Sequence, residues 1–96
     1  MRIAYLRSAT GDLRWLRSYY GRVFPEGAVK AREAVRRMEG LVLDNPFIGT
    51  TTHHAEVRRL RITRTPFFVL YRPTPERIEI LRVIDSRSLD SMIEEG

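Results

Sequence analysis

The sequence predicts an α+β domain in which a helical hairpin lies on one face of a largely antiparallel sheet. Three observations predict it. Apolar residues recur at three- and four-residue steps between Leu13 and Val42, the period changes to two from Arg59 to Ile62, and Asn45-Pro46 and Pro73-Thr74-Pro75 separate the runs. The order along the chain reads β-α-α-β-β-β, with room for one short helix at the end. The 96 residues suit one domain spanning 1–96, since domains typically hold about 100–150 residues.

The first element is a β-branched and aromatic run from Arg2 to Leu6, which reads as a strand. Ser8 or Thr10 is the expected cap of the following helix, with Asp12 in its first turn near the positive end of the dipole. Leu13, Leu16, Tyr20 and Val23 form its apolar stripe, and Gly21 suits a helix ending at about Tyr20 to Arg22. Pro25 fits the first position of a second helix after a connection of about four residues. There Ala28, Ala31, Val35, Met38 and Val42 form the inner face, and Arg32, Arg36, Glu33 and Glu39 lie outside. Pro46 stops this helix by disfavouring α conformation at Asn45. Phe47 to Ala55 reads as a loop. Leu60 and Ile62 then alternate with Arg59 and Arg61, as in a half-exposed strand. The unbroken apolar run Phe67–Tyr71 reads as a central strand buried on both faces. Ile78 to Ile84 is the last strand, and Ser86 to Glu94 has the length of a short terminal helix.

Composition narrows the function. With no cysteine there are no disulfides, thiolate metal sites or cysteine nucleophiles. No apolar run approaches the roughly 20 residues of a membrane span. The opening MRIAYLRSATGD has no apolar signal-peptide core, so a cytoplasmic location without membrane contact is expected. The formal charge is +5 and unevenly placed. Residues 45–75 hold five arginines against Glu56 alone, whereas residues 76–96 hold six acidic against three basic side chains. Such a field favours an anionic partner, nucleic acid or an acidic protein segment.

Few residues invite a chemical role. His53-His54 lies in a loop with only Glu56 nearby, short of the ligand set a metal site needs, so no metal or cofactor is expected. No glycine-rich phosphate loop and no Gly-x-Ser-x-Gly elbow occurs. Trp15, Tyr19 and Tyr20 read as packing of the helical hairpin rather than a platform for bases. The cluster Arg58, Arg59, Arg61, Arg64 and Arg72 is denser than edge protection of a sheet requires. Arg59 and Arg61 project from one strand face, spaced to grip phosphates or carboxylates. Arg58 falls in phase with Leu60 and Ile62, with its stem at the core edge. Arg82 stands inside the last strand in phase with Ile78, Ile80 and Ile84 and needs a partner, Glu56 or Asp85 being within sequence reach. Arg82 and Arg87 complete the candidate contact patch.

Taken together, the landmarks resemble the RelE/ParE superfamily of type II toxin–antitoxin toxins. They are Ala9-x-x-Asp12-Leu13, Tyr19-Tyr20, Leu43-x-Asn45-Pro46-x-x-Gly49, Val57-Arg58-Arg59-Leu60-x-Ile62, Thr65-Pro66-Phe67-Phe68-Val69-Leu70-Tyr71-Arg72 and Ile78-x-Ile80-Leu81-Arg82-Val83. The resemblance implies a toxin neutralised by a cognate antitoxin whose acidic, partly disordered segment folds on binding, with operator DNA reached only through the antitoxin. Two branches then compete. RelE-like members are ribosome-dependent endonucleases that cut messenger RNA, using basic side chains around the scissile phosphate and usually a C-terminal tyrosine or histidine. Here the central strand is wholly apolar, no tyrosine or histidine follows Tyr71, and Ile84-Asp85-Ser86-Arg87 closes the last strand. ParE-like members act on DNA gyrase without catalysing a reaction of their own. The apolar strand and Arg82-Val83 resemble that branch, although Asp85 stands where a histidine is common. The expectation is therefore a ParE-like gyrase inhibitor with no catalytic residues, the messenger-RNA endonuclease being the alternative.

Overall fold

A computed structural model describes residues 1–86; Arg87 and most of the expected terminal helix lie outside the described residues. The chain runs β1 (Arg2–Tyr5), α1 (Arg7–Val23), α2 (Pro25–Asp44), β2 (Thr50–Thr51), β3 (Arg58–Arg61), β4 (Phe67–Pro73) and β5 (Arg77–Asp85). The strands form one sheet in the order β1-β5-β4-β3-β2, with β1 parallel to β5 and every other pair antiparallel. The helical hairpin follows β1, as the sequence predicts. The extra strand is the two-residue β2, in the expected loop, where Thr50 and Thr51 pair with Arg59 and Arg58.

Both helix starts follow from local chemistry, though only one as expected. Pro25 opens α2, where its missing N–H costs nothing, and Glu26 sits in the first turn beside the unpaired amides. In α1, neither Ser8 nor Thr10 caps. The helix begins earlier, with Leu6 as the cap residue and no side-chain cap. The Thr10 hydroxyl instead donates backward to the Leu6 carbonyl at 3.2 Å, and Asp12 falls beyond the first turn. Phe24 alone joins the helices, in place of the four residues expected, closing α1 through its N–H to the Tyr20 carbonyl (3.1 Å) and accepting from Gly27 N–H (2.9 Å). That tight turn leaves Val23 exposed rather than on the inner stripe.

The core lies between the hairpin and one sheet face. Ala9, Leu16 and Tyr20 of α1 and Ala31, Ala34, Met38 and Val42 of α2 meet Val69, Tyr71, Ile78, Ile80 and Val83. β4 is central and buried, with Phe67, Phe68, Val69 and Tyr71 all under 7% exposed. Trp15 joins the sheet as well as the hairpin, since it stacks on Tyr19 at 5.4 Å and meets Phe67 edge-on at 6.3 Å. It keeps 52% of its surface exposed.

A bulge in β5 changes what its arginine does. Tyr71 pairs with Ile80 but Leu70 pairs with Arg82, so Leu81 is the extra residue. The alternation flips there. Ile78, Ile80 and Val83 face the helices, while Arg82 and Ile84 share the opposite face with Leu70 and Phe68. Arg82 is thus not on the Ile78–Ile80 face that the sequence pattern suggests.

Tyr5 ties β1 to α2 by donating its hydroxyl hydrogen to Glu39 Oε2 at 2.5 Å. Burial, and then this bond to a carboxylate, push the phenol well above its ordinary value near 10. A raised folded-state value favours the neutral phenol, so this contribution is full below pH 10 and is lost as pH rises beyond it. Unfolding followed between pH 9 and 12 is expected to show an alkaline fall in stability that Tyr5→Phe flattens. Parallel curves for the two proteins would contradict this.

Candidate functional site

The sheet face away from the helices carries the charge. By strand alternation it presents Arg2 of β1, Arg59 and Arg61 of β3, Arg72 of β4, and Arg77 and Arg82 of β5. The described carboxylate among them is Glu79. Two arginines hold it: Arg72 Nη2 lies 2.5 Å from Oε1 and Arg77 Nη2 lies 2.7 Å from Oε2. These two guanidiniums hold the Glu79 carboxyl below the usual carboxylate range. Sequence reading missed this clamp, although β4 and β5 set Arg72 directly opposite Glu79.

The six predicted contact arginines separate into three groups. Arg58 and Arg82 are engaged within the fold. Arg58 Nη1 donates to the carbonyls of Gly49 (2.7 Å) and Phe47 (3.2 Å), and its guanidinium lies 5.0 Å from the Phe47 ring centre. Arg82 Nε donates to Asp12 Oδ2 at 2.8 Å and Nη2 to Oδ1 at 3.1 Å. The partner is Asp12, 70 residues away, and not Glu56 or Asp85. Asp12 Oδ2 also accepts from the Val83 N–H at 2.8 Å, because β1 ends at Tyr5 and leaves that amide of β5 without a strand partner.

Arg59, Arg61 and Arg64 form the second group. All three are exposed, and none makes an ion pair with a described residue. Arg59 lies 5.7 Å from the Phe68 ring centre and Arg61 is registered opposite Phe68. Arg64 sits in the turn between β3 and β4 with φ 68°, a left-handed conformation that a non-glycine residue adopts at a cost. The turn holds it there through Thr65, whose hydroxyl donates to Ile62 O (2.8 Å) and accepts from Phe67 N–H (3.1 Å). Arg87, the last of the six, lies outside the described residues.

The Asn45–Gly49 segment is anchored from below. Tyr71, with no exposed surface, donates its hydroxyl hydrogen to the Pro46 carbonyl and accepts from Gly49 N–H, both at 2.9 Å. Burial raises the Tyr71 hydroxyl above its ordinary value, while the Gly49 N–H and the nearby Arg58 oppose that shift. A Cβ on Gly49 would stand 2.8 Å from the Arg59 carbonyl and from the Tyr71 ring and hydroxyl, so only glycine fits. Asn45, Pro46, Gly49, Arg58 and Tyr71 are therefore one locked corner.

The chain and its fold are similar to known proteins. A family model described as "ParE toxin of type II toxin-antitoxin system, parDE" matches residues 3–89. The chain belongs to the ParE toxin family. A solved structure titled "Chromosomal ParDE TA system from P. aeruginosa" is similar at 27% identity and a TM-score of 0.72, over 88% of this chain and 95% of that one. No curated protein sequence matches. As a ParE-family toxin, the chain has an antitoxin as its implied partner. His53 and His54 are exposed, and among the described residues no group of three or more histidine, aspartate or glutamate side chains is placed to hold a metal. No described helix is long and apolar enough to cross a membrane.

Proposed function

We propose that this ParE-family toxin inhibits DNA gyrase when free and is neutralised when its cognate antitoxin binds it in the cytoplasm. The observation that carries the gyrase reading is the engagement of Arg58, Arg82 and the Tyr71 hydroxyl within the fold. A ribosomal nuclease must hold a phosphate with free cations beside a group that moves a proton. Here β4 offers only apolar side chains between Phe67 and Tyr71, Arg82 is held by Asp12, and Arg58 is held by the Gly49 corner. The Tyr71 hydroxyl is buried between Pro46 and Gly49, donating to one and accepting from the other. What remains among the described residues is a surface suited to binding.

Purified gyrase gives a direct test. The chain is expected to block supercoiling of relaxed plasmid and to accumulate cleaved DNA, and equimolar antitoxin is expected to restore supercoiling. Unimpaired gyrase at a large excess of folded toxin would remove the reading.

Arg59 and Arg61 on the sheet face, registered opposite Leu70 and Phe68, and Arg64 in the turn that follows are the cations best placed to meet an acidic antitoxin segment. The double charge reversal Arg59→Glu/Arg61→Glu is expected to weaken antitoxin binding by about tenfold or more and to reduce its salt dependence. Both positions are exposed, so the fold should be retained. Affinity equal to that of the unaltered chain would show that the contact lies elsewhere.

A further inference from the structure

The sheet face away from the helices keeps a charge excess that the fold does not consume. Arg82 is neutralised by Asp12. The other arginines of this face, Arg2, Arg59, Arg61, Arg72 and Arg77, stand against Glu79 alone among the described residues. Arg2 and Arg77 are set side by side by the register of β1 and β5, where like charges repel. Arg59 and Arg61 project from the same side of β3, two residues apart, and neither makes an ion pair with a described residue. An anion from outside relieves both repulsions.

Glu79 is a carboxylate in a basic field, and its effect there is to aim two of the cations. Arg72 gives Nε and Nη2 to its Oε1, and Arg77 gives Nε and Nη2 to its Oε2. Each guanidinium is thereby held in a fixed fork, with Nη1 left over for an acceptor from outside. The carboxylate lies beneath them, its side chain 11% exposed against 36% for each arginine. An approaching anion meets guanidinium before carboxylate. The shape of the face then selects the anion. From β1 to β3 the cations span three strand spacings, about 14 Å, or the rise of about four base pairs. A five-stranded face is too broad for the major groove, which admits a helix or a two-stranded ribbon, so it meets the backbone and reads no sequence. Phe68, the described aromatic ring on this face, is 6% exposed and lies under Arg59, so no ring is open for an unpaired base to stack on.

We infer that this face holds the phosphate backbone of duplex DNA, without regard to sequence, through Arg2, Arg59, Arg61, Arg72 and Arg77. Glu79 is the positioning residue that fixes the forks of Arg72 and Arg77. The choice of DNA over RNA rests on the gyrase reading above, whereas the phosphate contact does not. The inference deepens that reading, because a toxin that touches the duplex as well as the enzyme recognises gyrase while DNA is bound to it. It concerns the free toxin, since the neutralisation reading gives Arg59 and Arg61 to the antitoxin.

Fluorescence anisotropy of the full chain with a labelled mixed-sequence duplex of about 20 base pairs tests this, in salt from about 50 to 200 mM. Five phosphate contacts predict that the logarithm of the association constant falls with that of salt at a slope of about −4 to −5. Two triple variants lose the same charge from opposite sides of the molecule. Arg2→Ala/Arg59→Ala/Arg61→Ala strips the sheet face, and Arg32→Ala/Arg36→Ala/Arg37→Ala strips α2; all six positions are exposed, so both should fold. The sheet variant is expected to bind about tenfold or more weakly with a slope near about −2, and the helix variant to stay close to the unaltered chain. Equal weakening in the two variants overturns the inference, because net charge and not this face would then drive binding. No binding to the duplex at the lowest salt overturns it as well, and tighter binding to single-stranded DNA or to RNA of the same sequence overturns the choice of duplex DNA. Gyrase supercoiling assayed on the same preparations separates the two readings. A chain that blocks gyrase without binding the duplex overturns this inference alone, and one that binds through the sheet face but leaves gyrase untouched supports it while removing the gyrase reading.

Discussion

Replacing Tyr71 with phenylalanine is expected to lower stability by about 2–3 kcal/mol, although the change removes one oxygen atom. That oxygen accepts from Gly49 N–H and donates to the Pro46 carbonyl. Phenylalanine fills the same volume but leaves both backbone groups without their partner. Gly49 is buried, so its amide has no ready replacement, and a buried unsatisfied donor costs about 1–3 kcal/mol. A domain of this size typically holds about 5–10 kcal/mol in all, so the loss is a large fraction. The thermal midpoint should fall on the order of 10–15 °C. Amide exchange at Gly49 should also accelerate far more than at Val69 on β4. A midpoint within about 2 °C of the unaltered chain would mean that the corner is not what holds the segment after α2.

Asp12→Ala is the second large effect, expected at about 2 kcal/mol. The ion pair alone would not supply it. Arg82's side chain is 50% exposed, and a pair so open to solvent is worth at most about 1 kcal/mol. The larger part comes from the charge-assisted bond to the Val83 N–H, which closes the stretch of β5 that β1 is too short to cover. Asp12→Asn separates the two parts, because it keeps an acceptor for Val83 and removes the charge that Arg82 sees. It should cost less than half as much as alanine. Equal losses in the two variants, read from urea midpoints at constant slope, would assign the effect to the ion pair instead.

These two substitutions explain what the family landmarks are for. Asp12, Asn45-Pro46, Gly49, Arg58, Tyr71 and Arg82 carry the sequence resemblance, and in the structure they bolt α1 to β5 and the Asn45–Gly49 corner to β4. The features determined by neighbours in sequence were legible. Pro25 starts α2, Pro46 stops it, and the run Phe67–Tyr71 becomes the buried central strand. Arg58 is at the core edge, as its phase with Leu60 indicates. Pairings across long separations were not legible. Nothing local to Arg82 signals Asp12, and the bulge at Leu81 that turns Arg82 to the other face arises from the register with β4. Thr50-Thr51 has no strand pattern of its own and becomes β2 only because Arg58 and Arg59 offer it an edge. Ala34 is buried in the core as well, although the sequence pattern leaves it off the inner face of α2. Of the six candidate contact arginines, Arg59, Arg61 and Arg64 are exposed and make no ion pair with a described residue, whereas the partners of Arg58 and Arg82 lie too far along the chain for local pattern to reveal.

The most direct test of the account is pulse-labelling in bacteria during brief induction of this chain without its antitoxin. Thymidine and amino-acid incorporation are followed together with a DNA-damage reporter. DNA synthesis is expected to fall and the reporter to rise while protein synthesis persists. Collapse of protein synthesis within minutes, with the reporter silent, would contradict it and return Arg59 and Arg61 to the phosphate-binding role of a ribosomal nuclease.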